Sequence, residues 1–250
     1  MVQRGRSPQL NSSTLTAQKT IPNQLLFARA LDGAIDTLMS LSGTATTELL
    51  LVRNAEPDNA TSANEGMTEP PLSERGRRQS ARLATRLREL DIDAVYSSTT
   101  RSAMETAAVV AAARDLQVVL VPDLRDLELN PAALNGNTPD RQKLEAELCI
   151  RFANNPRWDA LRGVEPTRLF RHRTIQAIEA IASRGQGTRL AIVTHQANIN
   201  AYLSMVLGIE RDMFFSPEFT SISTVRILRD RYGVHGLNDH AHLFSDEVTD

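Results

Sequence analysis

From Leu49 to Val52 the chain places four apolar residues in a row and then breaks into Arg53-Asn54-Ala55-Glu56. An uninterrupted apolar run of this length predicts a strand buried on both faces, ending at the edge of a sheet. Ser73 stands where it can cap a helix whose Leu83, Ala84, Leu87 and Leu90 line one face. Ala94–Ser97 reads as a second strand, with a helix after it through Ala112, and Val118–Val121 reads as a third strand. The stretch 122–166 is mixed, with acidic residues, Gly136 and Trp158 but no sustained period. A long helix over about 167–184, a strand Arg189–Thr194 and a helix 197–207 follow, and the C-terminal SISTVRILRDRYGVHGLNDHAHL predicts two strands about a turn near Arg231–Gly233. Strands alternating with helices imply an α/β fold with a mostly parallel central sheet and helices on both faces.

The first residues do not fit that rhythm. Residues 1–21 are rich in Ser, Thr and Gln, carry Arg4, Arg6 and Lys19, and have no acidic residue. They read as a mobile tail, with an organelle transit peptide as the alternative. In the segment 22–46, Leu26, Phe27, Ala30, Leu31, Ala34, Leu38 and Leu41 recur at three- and four-residue spacing, which predicts an amphipathic helix from Pro22 toward Gly43. Such a helix packs on its own domain or serves for docking or self-association through residues 22–42. The expected organisation is therefore a tail 1–21, a helical extension 22–46 and one α/β domain 47–250.

Composition narrows the function classes. With 250 residues, 41% hydrophobic, the chain can bury a full core. A net charge of −2 gives no electrostatic ground for nucleic acid as a partner. The single cysteine, Cys149, excludes an internal disulfide. No apolar run approaches the roughly 20 residues of a membrane span, and the cytoplasm is the default location. His235, His240 and His242 stand near the C-terminus without further grouped ligands, so they are expected on an exposed polar end, and no metal or other cofactor is implied.

In a parallel sheet, functional groups gather at the carboxyl ends of the strands. Those ends carry Arg53-Asn54, then Ser97-Ser98 with Arg101, then His195, while Asp126 and Glu128 follow the third strand. Together they would make a cationic pocket with a carboxylate at its mouth, suited to a phosphate ester. Each also admits an ordinary structural role: an ion pair for Arg53, a core histidine for His195, solvated loop acids for Asp126 and Glu128, an exposed first-turn residue for Arg101.

The stretches LLLVRNAEP, PLSERGRRQSARLATRLRELDIDAVYSSTTRSAMETAAVVA, DLRDLELN, RLAIVTHQANINAYLSMVLGI and LNDHAHL, in this order over about residues 47–243, resemble the histidine phosphatase superfamily, in its branch similar to cofactor-dependent phosphoglycerate mutases. The resemblance implies a phosphoglycerate mutase-like fold and metal-free phosphoryl transfer. Its members carry Arg-His-Gly or Arg-His-Ala at the end of the first strand, and that His attacks phosphorus. Here the matching residue is Asn54, whose amide nitrogen has its lone pair delocalised and cannot act as nucleophile. An essential phosphate-binding Arg of the family falls on Ser102, with Arg101 one residue early. Neighbouring helical residues point about 100° apart, so Arg101 does not automatically replace it. Ser102 with Glu105 also fits a capping box. Where the family has His-Gly-Gly, this chain has His195-Gln196-Ala197. Arg53, His195 and, in the place of the proton-donating carboxylate, Asp126 remain.

Three readings stay open. The chain is a catalytically silent pseudophosphatase that binds a partner, a phosphorylated small molecule or a phosphoprotein. Alternatively it is a phosphomonoesterase in which His195 acts as base on a water and Asp126 as acid. In the third, it is a structural or accessory subunit docking through its N-terminal helix. Ser97 or Ser98 as nucleophile lacks a paired base nearby in sequence.

Overall fold

The computed structural model describes residues 33, 35, 41, 45–59, 69–128, 149–155, 157–160 and 163–244. The chain divides into two units, Met1–Met39 and Ser40–Asp250. In the first, Gly33 and Ile35 are the described residues and both are helical. The tail 1–21 and most of the expected helix over 22–42 lie outside the described residues. Leu41 has a left-handed backbone, φ 42°, and is buried, so the helix does not run through it as the periodicity predicts.

Among the described residues of the second unit, six strands form a sheet in the order β3-β2-β4-β1-β5-β6. The strands are β1 (Thr47–Arg53), β2 (Ala94–Ser97), β3 (Val118–Leu120), β4 (Arg189–Thr194), β5 (Ile222–Leu228) and β6 (Arg231–Asp239). The pairs β3/β2, β2/β4 and β4/β1 are parallel, and β5 and β6 close one side antiparallel. The helices α1 (Glu74–Arg88), α2 (Arg101–Ala112), α3 (Thr167–Arg184) and α4 (Gln196–Leu207) lie between them in sequence.

The apolar run of β1 is buried on both faces, and alternation decides which side each residue serves. Leu49 and Leu51 join Leu190, Ile192, Ile178 and Tyr202 in a core under α3 and α4. Leu50 and Val52 join Leu83, Leu87, Val95, Ala107 and Val110 in a second core under α1 and α2. Ser73 caps α1, its hydroxyl accepting from the Gly76 N–H at 2.9 Å.

Three expectations need correction. The capping box at Ser102 does not form: α2 starts with Thr100 as its cap, so Ser102 is already inside the helix and buried. Glu105 accepts instead from the Leu72 N–H at 2.8 Å and from Arg101 Nε at 2.9 Å. The turn of the C-terminal hairpin falls at residues 229–230, where Arg229 takes φ 58°, because β6 already pairs from Arg231. His242 is buried, with Nε2 3.2 Å from Thr220 Oγ1. The 3₁₀ turn Ala241–Leu243 that carries it is held to α1 by Arg82, which donates to the Leu243 carbonyl.

Candidate functional site

Backbone pairing brings three strand ends together. Arg53 stands opposite Thr194 in the β1/β4 register. Asn54 N–H donates to Thr194 O at 2.8 Å, and Ser98 N–H to Val193 O at 2.9 Å. Arg53-Asn54, Ser97-Ser98 and His195 therefore meet at the carboxyl edge, where the helices α2 and α4 begin. A cleft of about 770 Å³ opens there. It is lined by Arg53, Asn54, Arg101, Ser102, Asp126, Glu128, His195 and Gln196, all named from the sequence.

Asn54 is buried, and its Nδ2 donates to the Ala55 carbonyl at 2.9 Å and to Ser102 Oγ at 3.2 Å. A carbonyl only accepts, so the contact with Ala55 fixes which end of the amide is the NH₂. Ser102 is thus an acceptor beneath Asn54. Arg101, half-exposed at the rim, is paired with Glu105 one turn along.

Arg53 places its guanidinium 3.8 Å above the Phe219 ring, and Nη1 donates to Pro217 O at 2.5 Å. Burial pulls its pKa below the ordinary arginine value, against Asp126 and Glu218. It stays charged at neutral pH.

His195 is buried at the start of α4, with Nε2 3.0 Å from Ser98 Oγ and 3.1 Å from Thr100 Oγ1. Its Nδ1 faces Asp126 Oδ2 at 3.9 Å. Burial holds its pKa below the usual histidine value; Asp126 opposes this, while Arg125, Arg53 and Arg173 add to it. The ring is therefore neutral at pH 7. Asp126 also accepts from the Leu127 N–H at 2.8 Å, which fixes its rotamer. Ser97 donates to the Ser98 carbonyl and does not line the cleft.

Arg125, Thr100, Glu69, Phe219 and Trp158, not among the candidates above, also line the cleft. Arg125 Nη2 donates to Glu69 Oε1 at 2.8 Å, and its Nε lies 3.9 Å from Glu128. Its signal was available, since it immediately precedes Asp126. Glu69 and Phe219 come from segments without periodic pattern. Among the described residues no group of three or more His, Cys, Asp or Glu could hold a metal ion. Among them, too, no helix is long and apolar enough to cross a membrane.

Phosphoserine phosphatase 1 of Hydrogenobacter thermophilus is 26% identical over 200 residues, covering 78% of this chain and 94% of that protein. The metal-independent phosphoserine phosphatase of Arabidopsis thaliana is 28% identical over 205 residues, covering 80% and 84%. Among solved structures, Bacillus stearothermophilus YhfR superposes with a TM-score of 0.66 at 24% identity, over 79% of this chain and 99% of that one. Residues 49–240 match the histidine phosphatase superfamily, branch 1. A match over that span, in a chain with this sheet order and this strand-edge cleft, establishes that the protein belongs to the histidine phosphatase superfamily.

Proposed function

We propose that the chain is a pseudophosphatase: a phosphoglycerate mutase-like member that does not turn over phosphomonoesters by phosphohistidine and acts by binding. In this reading Asn54 occupies the place of the nucleophilic His, and Ser102 that of an essential Arg. The observation that carries it is the state of the Asn54 amide, whose nitrogen is spent donating to Ala55 O and Ser102 Oγ. Removing a nucleophile that works within a catalytic unit costs on the order of 10⁴ to 10⁶ in rate. The ligand is a phosphorylated small molecule or a phosphoprotein segment held weakly by Arg53. Two relatives bear the name phosphoserine phosphatase, which makes small phosphomonoesters the first class to try. The test is chemical trapping of a phosphoenzyme. Exposed to excess 4-nitrophenyl phosphate and quenched in alkali, the native chain forms no phosphohistidine; an acid-labile phosphoryl adduct on it would overturn the reading.

A further inference from the structure

Thr100 caps α2, yet its hydroxyl does not do what that position usually asks of it. A threonine at a helix N-cap ordinarily accepts from an N–H two or three residues on, and here no such bond forms. Oγ1 lies instead 3.1 Å from His195 Nε2. Across the same ring, Nδ1 faces Asp126 Oδ2 at 3.9 Å, and Thr100, His195 and Asp126 all line the cleft. Hydroxyl, imidazole and carboxylate in series is the arrangement that activates a weak oxygen nucleophile, and the hydrogen bonds of such sites are often long before substrate binds.

The geometry points to a second chemistry in the cleft: hydrolysis of neutral carboxylic esters, with Thr100 as nucleophile, His195 as base and Asp126 orienting the imidazole. This does not rest on the pseudophosphatase reading, since it uses neither Asn54 nor a phosphoryl group.

Charge selects the electrophile. Around the cleft Arg53, Arg101 and Arg125 face Glu69, Asp126 and Glu128, so the formal charges cancel. Two of the arginines are already paired with carboxylates, Arg101 with Glu105 and Arg125 with Glu69. Catalysis on a phosphoryl dianion depends on a cationic clamp. A neutral ester develops only one negative charge, on the carbonyl oxygen. The first N–H groups of α2 lack intrahelical acceptors, and Arg101 and Ser102, which carry two of them, line the cleft. Pro57, Pro70, Leu127, Trp158 and Phe219 supply apolar wall for an acyl chain.

Ser98 Oγ is as near to Nε2, at 3.0 Å, but Ser98 is fully buried and does not line the cleft. With the ring proton on Nδ1, the nitrogen that faces Asp126, Nε2 has one lone pair for which the two hydroxyls compete, and Ser98 Oγ also lies 3.5 Å from Thr100 Oγ1. Thr100 is the one a substrate reaches.

In the first step Thr100 Oγ1 bonds to the ester carbonyl carbon as His195 Nε2 takes the hydroxyl proton. The carbonyl electron pair moves onto oxygen and returns as the carbon–alkoxy bond breaks. His195 gives its proton to the leaving alkoxide, which departs as alcohol and leaves an acyl-threonine. Water then adds to that carbonyl while His195 takes its proton. The bond from carbon to Oγ1 breaks, His195 reprotonates Oγ1, and the carboxylic acid leaves.

The experiment uses the full-length chain with 4-nitrophenyl butyrate. The expected result is saturable hydrolysis, a butyryl group on Thr100 after acid quench, and a fall in kcat/KM of at least about 100-fold in Thr100→Val. Thr100→Ser, which keeps a hydroxyl, recovers turnover and shows that the loss is not one of folding. Thr100→Val also loses more than Ser98→Ala. Hydrolysis no faster than with free imidazole, an equal rate in Thr100→Val, or acylation elsewhere would overturn the assignment. Hydrolysis of 4-nitrophenyl phosphate, assayed separately, bears on the pseudophosphatase reading alone.

Discussion

Asn54 donates to Ser102 across 3.2 Å, joining the end of the first strand to the first turn of a helix 48 residues later. Both side chains are buried. Each gives the other a hydrogen-bond partner, so substitution at one is felt at the other. Ser102→Ala leaves the Asn54 amide with one acceptor and is expected to cost about 1 kcal/mol of stability. A denaturation double-mutant cycle with Asn54→Ala checks this: coupling of roughly 0.5 kcal/mol or more is expected, and strict additivity would deny the contact.

His195 is expected to titrate below the ordinary histidine value, because burial disfavours the imidazolium more than Asp126 favours it. A group kept neutral in the fold contributes stability that is full above its unfolded-state pKa of about 6.5. As pH falls below that value the unfolded chain takes up a proton that the fold resists, and the contribution is lost toward the lower folded pKa. Imidazole NMR titration measures the midpoint directly. Asp126→Asn should lower it further, and a midpoint at or above the ordinary value would contradict the site electrostatics.

Glu48 is clamped between Arg189, at 2.5 Å, and Arg226, at 2.7 Å. Burial alone would raise its pKa, but the hydrogen bonds and charges of the two arginines outweigh burial and leave it lowered. Its contribution is therefore present above the unfolded glutamate pKa and disappears as pH falls through the folded one. Glu48→Gln should cost about 1–3 kcal/mol at pH 7. The difference from the native chain should shrink in acid, and a difference independent of pH would rule out the ionic clamp.

Gly76 tests the packing of α1 on the strand-end loop. A Cβ built there would lie 2.1 Å from the Glu56 carbonyl oxygen. In a helix, Gly→Ala usually stabilises by about 1 kcal/mol. Here the expected sign reverses, with Gly76→Ala destabilising by roughly 1–3 kcal/mol as the loop is pushed away. Thermal unfolding decides it: a raised Tm would mean that α1 does not approach Glu56 this closely.

What could be read in the sequence was what repeats or alternates. The apolar run of β1 and the helical stripe of α1 each carry a period or a run length that local geometry imposes; β1 forms where expected, and α1 does so up to Arg88, short of Leu90, which the stripe had included. That Arg53, Asn54 and His195 gather at one edge was legible because topology brings parallel strand ends together, whereas Asp126 reaches the same cleft from the segment after β3. Contacts between distant segments were not. Nothing near Thr100 in sequence announces that His195 lies against it, and the pairing of Arg125 with Glu69 joins two segments without periodicity. The capping box at Ser102 failed because a four-residue pattern cannot tell the cap of a helix from its second residue, and the cap here is Thr100, two residues upstream.

The proposed loss of phosphomonoester chemistry through Asn54 and Ser102 is tested most directly by steady-state hydrolysis of 4-nitrophenyl phosphate by the native chain, by His195→Ala, and by the double variant Asn54→His, Ser102→Arg. The expected result is a native rate no higher than that of His195→Ala and clear turnover by the double variant. Native turnover that falls when His195 is removed would contradict it.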